Sequence, residues 1–156
     1  IKKVNELLNN TIDEVRRISH NLASGVLEKL GLIHSLTALA DTINQANQIK
    51  INIMSYGISE RLPLQKEIKI YRIVQELTSN TLKHARAEEL NIQLLKEKEM
   101  LYITVEDNGV GFDTTNTKSF GLGLRNVKAL IHKLEGNINI DSNEKSGTTI
   151  NMDIQI

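Results

Sequence analysis

Apolar residues recur at helical spacing from the start of the chain. Val4, Leu7, Leu8, Ile12, Val15 and Ile18 fall near a 3.6-residue repeat, the stripe an amphipathic helix turns toward a core. Gly25 and Gly31 interrupt the pattern, so residues 1–49 are expected to hold two or more helices. Ile33 to Gln48 is the second clear stretch, with Leu36, Leu39 and Ile43 on one side. At 50–56 the period drops to two, as in a half-buried strand, and Gly57 ends it. Pro63 sits where a proline can open a helix without breaking one. Residues 65–84 form the best helical pattern, with Ile70, Ile73, Val74, Leu77 and Thr81 on one stripe and Glu76, Asn80 and Lys83 on a flanking one. Glu76, Asn80 and His84 follow one another at i, i+4. Strands are expected at 90–95 and 101–106, joined by the charged turn Lys96–Glu99. A polar loop at 113–120, a helix at 122–134 and strands at 137–141 and 148–156 complete the chain. Neighbouring strands of this kind pair as antiparallel hairpins. The order predicts an α+β two-layer sandwich, a mixed, mostly antiparallel sheet with helices on one face, preceded by a helical stub.

Composition narrows the possible functions. The chain has 156 residues, suiting one domain, and no cysteine, which excludes a disulfide scaffold, a Cys-ligated zinc site and a thiol nucleophile. Nineteen Lys and Arg balance nineteen Asp and Glu, which argues against gripping nucleic acid or an anionic membrane by bulk charge. With three tyrosines, two phenylalanines and no tryptophan, the core must be aliphatic. No apolar run approaches the ~20 residues of a spanning helix. The opening Ile1-Lys-Lys-Val has neither signal-peptide architecture nor an initiator Met, so the sequence reads as a piece of a longer protein.

The candidate chemistry lies in four segments: Glu76-Leu-Thr-Ser-Asn80 on a helix, Asp107-Asn-Gly-Val-Gly111 after a strand, Gly121-Leu-Gly-Leu-Arg-Asn126 opening a helix, and Ser146-Gly-Thr-Thr149 opening the last strand. Gly109, Gly111, Gly121 and Gly123 permit close approach of a ligand to the backbone. Gly121 and Gly123 lead into a helix N-terminus, whose free N–H groups suit an anion such as phosphate. Glu76 and Asn80 offer oxygens one turn apart, and Mg²⁺ prefers oxygen ligands bridged to substrate phosphates. Asp107 could accept a hydrogen bond from an exocyclic amino group. Together these describe a nucleotide–Mg²⁺ site. There is no P-loop, and Gly121-x-Gly123-x-x-Asn126 lacks the third glycine of the dinucleotide fingerprint. Either glycine pair alone is more readily a turn than a ligand site.

In this order the four segments resemble the boxes of the ATP-binding domain of sensor histidine kinases, in the GHKL or Bergerat-fold superfamily. Tyr71 to Ala85 resembles the N box, Asp107–Phe112 the first glycine box, Gly121–Asn126 the second, and Gly147-Thr-Thr149 the last glycine/threonine box. The resemblance covers about residues 50–156 and implies ATP and Mg²⁺ as ligands. It implies that Asp107 receives the adenine amino group, that Asn80 ligates Mg²⁺ with Glu76 supporting it, and that Lys83 and His84 lie near the phosphates. Thr148 would support the adenine pocket through water, and residues 112–120 would form the lid over ATP. Phe112, Leu122, Leu124 and Arg125 belong to the same segments. Arg125 is expected to meet a phosphate rather than pair with an acid on the surface, while Phe112 and Phe120 bracket the lid as latches or as ordinary packing. Asn108 is expected to serve the turn.

The N-box ending and the segment Val15-Arg-Arg-Ile-Ser-His-Asn-Leu22…Leu30-Gly-Leu32 resemble the kinases that serve LuxR/NarL-type response regulators. Residues 1–30 are then the end of the second dimerisation helix and its junction, and residues 31–156 the ATP domain. The implied partners are the dimerisation helices of a dimeric full-length kinase and the regulator, with no direct nucleic acid contact. The domain itself would be cytoplasmic, with membrane attachment of the whole protein left open. His20 is not expected to be the phosphoacceptor. Asn21 follows it where an acid would serve as general base, and only 60 positions separate it from Asn80. The phosphoacceptor is expected upstream. His34 and His132 read as surface residues. Three other readings remain: a gyrase-type GHKL ATPase that clamps as a dimer, with Glu76 as base; an anti-sigma-factor kinase; and a binding module without turnover.

Overall fold

The computed structural model describes residues 25–46, 49–114 and 121–156. The helical pattern at 1–18, His20, residues 47–48 of the second helix and most of the polar loop, including Phe120, lie outside the described residues. A helix occupying 25–30 (α1) stops at Gly31, and α2 runs Leu32–Gln45. Then come β1 (Lys50–Tyr56), α3 (Leu64–Asn80), β2 (Glu89–Glu97), β3 (Met100–Asp107), α4 (Leu122–Lys133), β4 (Asn137–Ser142) and β5 (Thr148–Gln155). Pro63 sits directly before α3, where its carbonyl accepts from Lys66 N (2.8 Å) and Glu67 N (3.1 Å).

The five strands lie in the order β1-β2-β3-β5-β4. β1 pairs with β2 in parallel across the α3 crossover, and the other three pairings are antiparallel, as the mixed sheet required. The period-two pattern explains the two layers. Leu90, Ile92 and Leu94 of β2, Leu101, Ile103 and Val105 of β3, and Ile150, Met152 and Ile154 of β5 are all buried. The alternate positions, among them Gln93, Tyr102, Glu106 and Asn151, face out. The core closes against Ile70, Ile73, Val74 and Leu77 of α3 and Leu124, Val127 and Ile131 of α4. This pairing stands α4 beside the C-terminal half of α3, where the site lies.

The helix expected over 65–84 changes character at its end. Regular α structure stops at Asn80, and Thr81–Ala85 form one π-helical turn that finishes at Arg86 in the left-handed conformation (φ 51°). Such wide turns concentrate at functional sites. This one re-aims Lys83 and His84 relative to Asn80.

A second feature ties the N-terminal helix down. Glu67 is buried at 2% exposure, and Arg61 reaches both its oxygens, from Nε at 2.9 and 3.1 Å and Nη2 at 2.6 Å. The same guanidinium donates to the carbonyls of Leu27 (3.0 Å) and Glu28 (3.2 Å). The Leu27 carbonyl also accepts the Gly31 N–H at 2.9 Å, so Arg61 adds a second donor at the end of α1 and holds that end to the start of α3.

Candidate functional site

A cavity of about 610 Å³ opens between α3, the π-helical turn, the C-terminal end of β3 and the start of α4. Glu76, Asn80, Lys83, His84, Asp107, Gly111, Phe112, Gly121, Leu122, Gly123, Leu124 and Thr148 all line it. The four segments singled out in the sequence therefore converge on one space, although Glu76 and Thr148 lie far apart in the chain.

At the floor is Asp107, at 8% exposure. Its Oδ1 accepts the Gly109 N–H at 2.9 Å, and Thr81 Oγ1 lies 3.4 Å from Oδ2. Burial pushes the carboxyl above the ordinary carboxylate range, although hydrogen bonds from the Gly109 backbone, the Thr81 hydroxyl and the Thr148 backbone pull the other way. An acid kept in place by backbone donors and screened from water is a directional acceptor. β3 and β5 pair Asp107 opposite Thr148, so the two adjoin through the sheet register.

The opposite end is built from glycine and oxygen. Gly123, in the first turn of α4, has no room for a side chain. A Cβ there would collide with Glu76 Oε1 and lie 3.1 Å from Asn80 Oδ1. The helix start thus rests directly on the two oxygens that the sequence paired one turn apart. α4 has no side-chain cap and no acid in its first turn, which leaves backbone N–H groups at that end available to an anion. Among the described residues no three His, Cys, Asp or Glu converge as a metal cage. Two protein oxygens suit Mg²⁺, which keeps waters and takes substrate phosphates for its remaining positions.

Gly111 has φ 65°, and a Cβ on it would strike the carbonyl oxygen of Asn143. Only glycine fits there. The residues that follow are held by a serine the sequence reading passed over. Ser142 Oγ accepts the Phe112 N–H (2.9 Å), donates to the Gly147 carbonyl (3.0 Å) and lies 2.9 Å from Thr148 Oγ1.

Two residues placed in the site by sequence lie outside the cavity lining. Gly109 does not line the cavity. It packs behind the wall against the Ala85 carbonyl, where a Cβ would not fit, and acts through its N–H on Asp107. Arg125 is exposed and also absent from the lining, because one residue past the Gly123–Leu124 contact α4 already turns its side chains outward. Asn108 serves the turn: its Oδ1 accepts Glu88 N (2.9 Å) and Glu89 N (3.0 Å). His34 and His132 are exposed. Sequence reasoning had placed Leu77 and Thr81 only in the core and had missed Ala85, Val105 and Ile150, all of which line the cavity. The inward alternation of β3 and β5 was the available signal for the last two.

Residues 65–156 match the family described as histidine kinase-, DNA gyrase B-, and HSP90-like ATPase. The whole chain is 33% identical to 40% of the signal transduction histidine-protein kinase/phosphatase DegS of Brevibacillus brevis. Over 93% of the chain it is 36% identical to the sensor histidine kinase MctS of Rhizobium johnstonii, spanning 32% of that protein. The chain therefore spans well under half the length of these curated relatives. Among solved structures, the blue-light activated histidine kinase of Erythrobacter litoralis EL346 superposes with a TM-score of 0.74 at 26% identity, over 94% of this chain and 49% of that one.

Proposed function

Because the chain belongs to the histidine kinase-, DNA gyrase B-, and HSP90-like ATPase family, we propose that it works as the ATP-binding kinase domain of a two-component sensor. In this reading the γ-phosphoryl group of ATP passes to a histidine on a dimerisation helix, for relay to a LuxR/NarL-type response regulator. The observation that carries it is the single cavity that joins a buried acceptor, Asp107, to a glycine-rich helix start resting on Glu76 and Asn80.

The adenine amino group donates to Asp107, and Thr148 supports the ring through water. Gly111 and Phe112 pass beside the base. The phosphates lie toward Gly121, Leu122, Gly123 and Leu124, where the N-terminal N–H groups of α4 receive negative charge, with Lys83 and His84 alongside. Asn80, supported by Glu76, would hold Mg²⁺, which when bound neutralises charge on the phosphates. Phosphoryl transfer is mainly positioning and electrostatic stabilisation, so a site of backbone donors, two oxygens and one buried acid is sufficient equipment. The balanced net charge fits, since backbone and metal take the place of a basic patch.

Residues 1–30 are read as the end of the second dimerisation helix with its junction, and residues 31–156 as the ATP domain. The break at Gly31 supports that division, and Arg61 ties the junction to the ATP domain. The full-length protein is read as a dimer, and its phosphoacceptor lies upstream of His20. Among the described residues no helix is long and apolar enough to cross a membrane.

The test is to incubate the full-length protein with Mg²⁺ and γ-labelled ATP. Acid-labile, base-stable label on the protein is expected, lost with Asn80→Asp and kept with His20→Gln. ATP hydrolysis without any labelled protein would overturn the kinase reading in favour of a GHKL ATPase.

A further inference from the structure

The hydroxyl of Ser142 lies beside Thr148, a residue of the cavity lining. Ser142 closes β4 and is 7% exposed. A serine hydroxyl has one proton and two lone pairs, and three groups surround this one. The Phe112 N–H can only donate, and it does so at 2.9 Å. The Gly147 carbonyl can only accept, at 3.0 Å, and Gly147 is itself buried. That carbonyl takes the serine proton, since a buried acceptor left without a donor is costly. One lone pair remains, so the third contact, Thr148 Oγ1 at 2.9 Å, must be donated by the threonine. Thr148 lines the cavity, and with its proton directed at Ser142 it offers the cavity only lone pairs. Asp107, its partner in the sheet register, is an acceptor as well.

We infer that Ser142 is a positioning residue of the nucleotide site, locking Thr148 as an acceptor beside Asp107 and so selecting a purine with an amino group at position six over one with a carbonyl oxygen there. The inference rests on the ATP reading above. Its physical content is a difference between ligands. An amino group donates to Asp107 and to the water that Thr148 holds as an acceptor, whereas a carbonyl opposes its lone pairs to those of Asp107 and finds no donor on Thr148. Without the serine hydroxyl, the Thr148 proton is free to turn into the cavity and donate to a carbonyl. Removing Ser142 therefore changes what the pocket prefers, not simply how well it binds.

The experiment titrates ATP and GTP, each with Mg²⁺, into the wild-type protein and into Ser142→Ala, Ser142→Thr and Ser142→Cys forms, with thermal unfolding followed alongside. The expected result is a wild-type preference for ATP that falls at least tenfold in Ser142→Ala and is retained in Ser142→Thr, which keeps the hydroxyl. Ser142→Cys, close in size but a weak hydrogen-bonding group, should fall with the alanine form, and reports the same ratio if the alanine form does not fold. In a Thr148→Val background, Ser142→Ala should leave the ratio unmoved. A purely structural serine would weaken both nucleotides alike, and an unchanged ATP-to-GTP ratio in the alanine or cysteine form overturns the inference. Absence of ATP binding by the wild type would instead strike the ATP reading, and this inference with it.

Discussion

Adding one methyl group at Gly123 perturbs the contact on which the phosphate end is built. A Cβ there collides with Glu76 Oε1 and stands 3.1 Å from Asn80 Oδ1. Both obstacles are ends of side chains, so the fold can respond by swinging Glu76 aside. Overpacking costs about 1–3 kcal/mol, and a movable carboxylate places this case near the lower figure. Alanine is favoured over glycine inside a helix by about 1 kcal/mol, so the two effects nearly cancel in folding stability. They do not cancel in binding, where Glu76 is displaced and Asn80 crowded. A loss of about 1–3 kcal/mol there corresponds to a roughly 5–150-fold weaker affinity for Mg·ATP. Gly25→Ala is the matched control. Nothing lies within 4 Å of a Cβ at Gly25, which is exposed and lies outside the cavity, so affinity should stay within about twofold, the scale of ordinary surface changes. Titration calorimetry and thermal unfolding of the two variants decide the matter. Wild-type affinity in Gly123→Ala, or an equal loss in Gly25→Ala, would refute the assignment of Glu76 and Asn80 to the phosphate end.

Other consequences can be measured on the same protein. Gly111→Ala should fail to fold, because the added Cβ meets the Asn143 carbonyl at a positive φ, and recovery of a stable, ATP-binding domain would contradict the packing described. Burial holds the Asp107 carboxyl above its ordinary value, so the folded state keeps that proton more readily than the unfolded chain. The stability this contributes is fully present below the ordinary carboxylate value and is lost as pH rises through the raised one. The unfolding free energy of the wild type relative to Asp107→Asn should therefore fall with rising pH across that window, and the opposite slope would be wrong for a desolvated acid. Arg61→Ala leaves the buried Glu67 carboxylate without its cationic partner, with only the Leu62 N–H donating to it, and removes the side-chain donors to the Leu27 and Glu28 carbonyls. Its thermal midpoint should drop, and an unchanged midpoint would show that the α1 junction does not depend on this contact.

The sequence made legible whatever is local. The period-two runs placed β2, β3 and β5, and the apolar stripe placed α3, because each pattern repeats within a single element. Asp107, Asn80 and Gly123 were readable for the same reason: each sits inside a short motif whose residue types carry the chemistry. Contacts made only by strand pairing were not readable. Ser142 and Phe112 are 30 residues apart, and nothing in either segment announces that β5 will lie between β3 and β4. The π-helical turn at Thr81–Ala85 escaped because an apolar stripe does not distinguish it from continued α-helix over five residues. Arg125 belongs to the second glycine segment yet is exposed outside the cavity lining, because adjacent helical residues point in different directions and motif membership does not specify which one faces the cavity. Arg61 and Glu67, on either side of a helix start, fit no helical pairing interval.

In the ATP reading Asp107 and Asn80 are two ends of one site. Calorimetric titration of Mg·ATP into the wild-type protein, with Asp107→Asn and Asn80→Asp in parallel, decides whether they are. Saturable binding by the wild type, lost in both variants while their folded signal persists, is the expected result. No heat of binding from the wild type at millimolar nucleotide, or undiminished binding by both variants, would contradict it.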